Sequence, residues 1–274
     1  MTPPPRPTIK PAVALTIAGS DSGGGAGIVA DLKTFEALGA WGTTALVAVT
    51  AQNTLGVQAF ETLPPALVRA QIESVVTDIG VDAAKTGMLA SAELVVTVAG
   101  AVRDFAVPNL VVDPVFVSKH GDTLLADDAV LALRTELLPL ARLTTPNLPE
   151  ASALVGFDVF DRDSMVRCAE ELLALGVGAV LVKGGHLADG DSSPDCLLEG
   201  PGAEPVWLEG HRIAGRHTHG TGCVLSAAIT AELARRRSVP EACLTAKRFV
   251  ERAIAAGLEL GAGVGPVNPG WGAS

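Results

Sequence analysis

The run His217-Thr218-His219-Gly220-Thr221-Gly222-Cys223 leads directly into the apolar, helix-compatible stretch Val224 to Leu233. Two glycines let the backbone turn tightly, and a helix starting there aims its unpaired N–H groups and positive dipole end back into the turn. The chemistry is anion binding by the amides of Gly220, Thr221, Gly222 and Cys223; the alternative is that the glycines only allow close packing. At a helix start the Cys223 thiol is expected to acidify, which makes a thiolate base available, with packing against a ligand as the other role. Lys183 ends an apolar run and can bring a cation to the same anion. Asp113 and Glu150 end or follow other such runs, and carboxylates of this kind suit Mg2+, often through water. Glu150 also stands where it would cap a helix over 149 to 155. Gln52 carries a side-chain amide, the neutral group that can pair with a ring nitrogen and an exocyclic amine at once; otherwise it is a polar loop residue.

These residues need a scaffold that gathers them. Short β-branched runs alternate with longer helical patterns along the chain. Strands are predicted at Ala12 to Ile17, Thr43 to Thr50, Val57 to Thr62, Ala83 to Thr86, Leu110 to Asp113, Leu143 to Thr145 and Ala179 to Lys183. Helices are predicted at Gly27 to Leu38, from Pro64 to about Asp78, and at Ala92 to Arg103, Asp127 to Leu138 and Ser164 to Leu175. Residues 193 to 211 have the character of a β-hairpin, and helices at Thr221 to Arg236 and Val239 to Leu260 close the chain. The pattern is α/β: a mainly parallel sheet with helices on both faces, without a linker or internal repeat to divide it. In such sheets ligands collect outside the carboxyl ends of the strands. Polar clusters stand after the strand runs, at 18–27, 52–54, 85–88, 113–115, 145–150 and 183–186.

Composition narrows the partners. With 274 residues and 48% hydrophobic content the chain can bury a large core as one domain, residues 11–274, behind a flexible proline-rich tail at 1–10. A net charge of −10 and the lack of a basic patch argue against nucleic acid and anionic membranes and for a small-molecule partner. The longest apolar runs fall far short of the ~20 residues that span a bilayer. No signal peptide is read at Met1 to Pro11. Four cysteines without a CxxC pair point to the reducing cytoplasm rather than to disulfides or zinc.

The segments LTIAGSDSGGGAGIVADLKTF (15–35), TAQNT (50–54), KTGML (85–89), TPNLPEA (145–151), VKGGHL (182–187) and THGTGC (218–223) together resemble the hydroxymethylpyrimidine/phosphomethylpyrimidine kinases of thiamine biosynthesis. The resemblance runs in order from residue 12 to about 266. It implies the ribokinase-like three-layer α/β/α fold and Mg·ATP-dependent phosphorylation of 4-amino-5-hydroxymethyl-2-methylpyrimidine, first to the monophosphate and then to the diphosphate. By the same resemblance Gly19, Asp31, Ala26 and Met88 contact the substrate together with Gln52, and Val115 forms an apolar wall. Lys183, Gly185, Thr221 and Gly222 meet ATP, Asp113 and Glu150 serve Mg2+, and the protein is a homodimer. Asp31, near a helix start, is also compatible with a structural role.

Sugar kinases of this fold carry aspartate where this chain and the pyrimidine kinases carry cysteine, Cys223. The chain departs from the family pattern at Val29, His120 and His217 and in the tail from Gly265 to Trp271. Two other functions stay open: a vitamin B6 kinase, whose relatives share the GTGC-like turn, and a catalytically silent pyrimidine sensor that would keep Gln52 without needing Lys183, Glu150 and the cradle together.

Overall fold

The computed structural model describes residues 10–115, 127–187 and 190–272. The tail before Lys10 and His120 with its Lys119 loop lie outside the described residues. In chain order the strands are β1 (Val13–Ala18), β2 (Trp41–Leu46), β3 (Ala48–Asn53), β4 (Gly56–Thr62), β5 (Ala83–Thr86), β6 (Leu110–Val112), β7 (Leu143–Thr144), β8 (Val180–Val182), β9 (Asp195–Leu198) and β10 (Val206–Leu208). The α-helices are α1 (Gly27–Ala37), α2 (Pro65–Ser74), α3 (Ala92–Asp104), α4 (Asp127–Ala132), α5 (Leu148–Val155), α6 (Arg162–Ala174), α7 (Thr221–Ala234) and α8 (Val239–Ala255).

Eight strands form one sheet in the order β10-β9-β8-β7-β6-β5-β1-β2. From β2 to β8 all neighbours are parallel, while β9 and β10 return antiparallel, as the hairpin character of 193 to 211 predicts. The strands read as continuous apolar runs because both faces are covered. In β6, Leu110 and Val112 enter one core with α3 and α6, whereas Val111 enters the other with α7 and α8. Leu181 in β8 and its neighbours Val180 and Val182 divide in the same way. Helix α7 is buried along its whole length from Val224 to Ala234, so its apolar residues surround it instead of forming a stripe.

The predicted strand Thr43 to Thr50 is two strands. It breaks at Val47, whose N–H donates to the Ala18 carbonyl and whose own carbonyl accepts from Leu63. Beyond that point β3 leaves the main sheet and pairs antiparallel with β4, with a register shift between Ala51 and Gln52. Ser20 holds β3 in place: its hydroxyl accepts from Thr50 N–H, and its carbonyl accepts from the Thr50 hydroxyl. Gln52 therefore lies on a hairpin above the sheet and not at the carboxyl end of a sheet strand. The helices predicted from Pro64 and Asp127 both loosen into π-helical turns, at Val75–Ile79 and Leu133–Leu137.

Candidate active site

The parallel strands stop along one line, and a cleft of about 990 Å³ opens above it. Gly19 after β1, Lys85 and Met88 at and beyond β5, Asp113 and Val115 after β6, Glu150 on α5, and Lys183 and Gly185 after β8 line this cleft. The β3–β4 hairpin adds Gln52, and the start of α7 adds Gly220, Thr221, Gly222 and Cys223. Ala26, in the first glycine-rich loop, closes the wall between them. All of the site residues singled out in the sequence reach this one cleft except Asp31.

Gly220 caps α7 with φ +84°, and no side chain satisfies the helix end. A Cβ at this position would collide with the Gly25 carbonyl, so glycine is required both by conformation and by the approach of two loops. The free amide end of α7 thus faces the cleft, where it favours negative charge. Lys183 Nζ lies 3.4 Å from the point a Gly222 Cβ would occupy. Its ammonium donates to Asp113 Oδ1 at 3.2 Å and stands 3.7 Å from Glu150 Oε2. Although burial disfavours its charge, the two carboxylates raise the Lys183 pKa above the usual lysine range. Asp113 also accepts from Thr145 through Oδ1 and from Ser226, on α7, through Oδ2. Burial opposes its charge, but Lys183 and Lys85 keep the Asp113 carboxyl below its ordinary range. Asp113 therefore seats both the lysine and the start of α7.

Glu150 has both features considered for it. It completes a capping box with Asn147, accepting from Asn147 N–H at 2.8 Å while Asn147 Oδ1 accepts from Glu150 N–H at 2.9 Å. Its carboxylate also lies in the cleft beside Lys183, and burial lifts its pKa to about 7. Among the described residues no group of three or more His, Cys, Asp or Glu side chains is placed to hold a metal. The oxygen-only pair Asp113 and Glu150 suits a Mg2+ ion that keeps most of its ligands as water and phosphate.

Two expectations are corrected. Asp31 is wholly buried beneath the cleft and does not line it. It accepts from Thr16 Oγ1 at 2.6 Å and from Lys85 Nζ at 2.8 Å. Burial lifts the Asp31 carboxyl above its ordinary range against the pull of Lys85, whereas the Lys85 ammonium is held above the lysine range by Asp31 once its own burial is overcome. Asp31 pairs with Lys85, a cation that lines the cleft, without lining the cleft itself. The expected acidification of Cys223 is also absent: burial pushes its thiol up to about 11, against the attraction of Lys85. Desolvation disfavours the thiolate, and in this site it outweighs the pull of the lysine.

The sequence reading missed three groups. Lys85 is one, and a lysine inside a buried strand run is a signal in itself, since lysine is almost never buried without a partner. Asp21 and His219 are the second: Asp21 Oδ2 accepts from Gly25 and Ala26 N–H and lies 2.8 Å from His219 Nε2. Burial would raise Asp21, but His219 and the loop amides hold its pKa below the ordinary value. The Gln52 amide nitrogen lies 3.5 Å from the same ring nitrogen. The tail is tied here too, for His219 N–H donates to Gly265 O and Val267 N–H to His219 O, while Trp271 packs on Phe249 and Arg252. The third group is Lys247 and Asp195, an ion pair 2.7 Å apart.

A mainly parallel three-layer sheet whose strand ends, buried lysine and open helix N-terminus share one cleft defines a ribokinase-like small-molecule kinase. The chain matches the phosphomethylpyrimidine kinase family model over residues 21–268, and it belongs to that family. It is 54% identical over 267 residues to the hydroxymethylpyrimidine/phosphomethylpyrimidine kinase of Streptomyces coelicolor, covering 97% of each chain. Among solved structures, the phosphomethylpyrimidine kinase of Clostridium difficile 630 superposes with a TM-score of 0.77 at 42% identity, covering 88% of this chain and 99% of that one. The ADP complex of Bacillus subtilis pyridoxal kinase gives 0.86 at 40% identity, over 94% and 97%.

Proposed function

We propose that this protein transfers the γ-phosphoryl group of ATP to the hydroxymethyl oxygen of 4-amino-5-hydroxymethyl-2-methylpyrimidine, and then a second group to the resulting monophosphate. Beyond family membership, the observation that carries this reading is the shared cleft: the Gln52 amide, Lys183 and the open end of α7 line the same cavity. Gln52 donates to the pyrimidine ring nitrogen and accepts from its exocyclic amine. Gly19, Ala26, Met88 and Val115 enclose the ring. Lys183 and Gly185 meet the ATP phosphates, and the Gly220, Thr221, Gly222 and Cys223 amides hold the moving phosphoryl group. Positioning and charge neutralisation are most of what this transfer requires.

When bound with ATP, Mg2+ supplies further positive charge at the phosphates, and Glu150 with Asp113 would hold it or its waters. Cys223, a neutral thiol near pH 7, packs against the acceptor and takes no proton in this reading; in the second step the acceptor is already an anion that needs no base. The same reading makes the protein a cytoplasmic homodimer. No helix among the described residues is long and apolar enough to cross a membrane.

The test is ADP release with hydroxymethylpyrimidine, its monophosphate and pyridoxal as parallel acceptors. Turnover of both pyrimidines, well above that of pyridoxal, is the expected result. The 40% identity to a pyridoxal kinase makes vitamin B6 phosphorylation the second reading, and a preference for pyridoxal would establish it. Binding of the pyrimidine without ADP release would leave only a sensor.

A further inference from the structure

Lys247, on α8, is 7% exposed, and Asp195, at the start of β9, is 6% exposed. Lys247 Nζ donates to Asp195 Oδ2 at 2.7 Å and to the Ser193 carbonyl at 2.7 Å. Through Oδ1, Asp195 accepts from Gly184 N–H at 2.9 Å. Gly184 directly follows Lys183, and a Cβ on it would strike the Pro194 carbonyl, so this arm of the cleft rests flat on the segment leading into β9. On its other side Ser193 N–H donates to Gly210 O, and Gly210 lies against the Lys247 side chain. Residues 211–215, which follow it, line the same cleft as Gly185. One buried ion pair therefore ties together α8, β9 and two arms of the cleft, the one after Lys183 and the one after Gly210.

We propose that the Lys247–Asp195 pair is a positioning device for the nucleotide half of the cleft, fixing the Lys183–Gly185 arm through the Gly184 amide and the 211–215 arm through Ser193. The inference rests on the reading that Lys183 and Gly185 receive ATP. Lys247 and Asp195 themselves line the cleft; two of the three ammonium hydrogens are committed to Asp195 and the Ser193 carbonyl, and through these bonds Lys247 braces the arms. Removing its charge leaves Asp195 unpaired and frees both arms, while the hairpin and first loop that hold the pyrimidine stay as they are.

The experiment measures ADP and hydroxymethylpyrimidine affinity by calorimetry, together with melting temperature, for the wild-type protein, Lys247→Met and Lys247→Arg. Wild-type protein that binds neither ligand would overturn the kinase reading, independently of the brace. Lys247→Met should weaken ADP by roughly 10- to 100-fold, the cost of misplacing contact groups by about 1 Å, and leave hydroxymethylpyrimidine within about twofold. Lys247→Arg, which keeps the charge, should recover most of the ADP affinity. Equal weakening of both ligands, or ADP affinity within about twofold of wild type, overturns the proposal. Should Lys247→Met fail to fold, Asp195→Asn keeps the side-chain size and an oxygen for the Gly184 amide, and the same two outcomes decide.

Discussion

Replacing Asp31 by asparagine separates a substrate contact from a buried support. Asp31 and Lys85 are both fully buried, 2.8 Å apart, and Thr16 donates a second bond to Asp31 at 2.6 Å. The asparagine keeps the shape and can still accept from Thr16, but it leaves the Lys85 ammonium unpaired in the cleft floor. Removing one partner of a buried pair costs about 3–5 kcal/mol. At about 2–4 °C per kcal/mol for a chain of this size, the melting temperature should fall by roughly 6–20 °C. Thr16→Val removes one hydrogen bond to a charged group, at about 1.5–3 kcal/mol, and should cost about half as much. Asp31→Leu combined with Lys85→Met leaves no buried charge and should melt well above the Asp31→Asn protein. Scanning calorimetry reads the melting temperatures, and steady-state kinetics at 20 °C reads KM for hydroxymethylpyrimidine, which should change little in Asp31→Asn. A melting temperature within about 2 °C of wild type, together with a large rise in that KM, would falsify the support role and restore Asp31 as a ligand contact.

Three further outcomes follow from the cleft. Gln52→Ala leaves the aminopyrimidine edge unpaired and should raise KM for hydroxymethylpyrimidine by about 5- to 150-fold with little change for ATP, as initial rates with each substrate varied will show. Glu150→Gln keeps an oxygen for the Asn147 amide, so the melting temperature should hold; activity should fall and partly return at high magnesium, and Mg2+ should protect the mutant less than wild type against heat. With its pKa raised to about 11, Cys223 should react with iodoacetamide at pH 7.5 roughly 300-fold more slowly than an exposed cysteine, since about two and a half pH units separate their pKa values. The rate should climb about tenfold per pH unit toward pH 10, and Cys223→Ala should slow both phosphorylations by similar, small factors; a fast reaction at pH 7.5 would return the base role to consideration.

The order of strands and helices was legible because a sheet buried on both faces leaves continuous apolar runs, and because the residues closing each run mark the strand ends where a cleft must form. Ala83 to Thr86 and the start of α7 at Thr221 lie where the pattern puts them. The cradle at Gly220 was legible for the same local reason: glycine conformation and helix geometry are properties of neighbouring residues. The break at Val47 was not, since ALVAVTAQ keeps an unbroken β-pattern and the turn away from the sheet depends on Ser20 and Leu63, distant in sequence. Nor were the charge partners. Whether Asp31 meets a ligand or Lys85, and whether a helix end acidifies Cys223 or burial silences it, depends on distances and desolvation among residues far apart in the chain. Lys247 and Asp195 are 52 residues apart, and nothing local to either announces the other. Periodicity and turn chemistry are written along the chain, whereas the pairing and burial of charge exist only once the layers have closed around them.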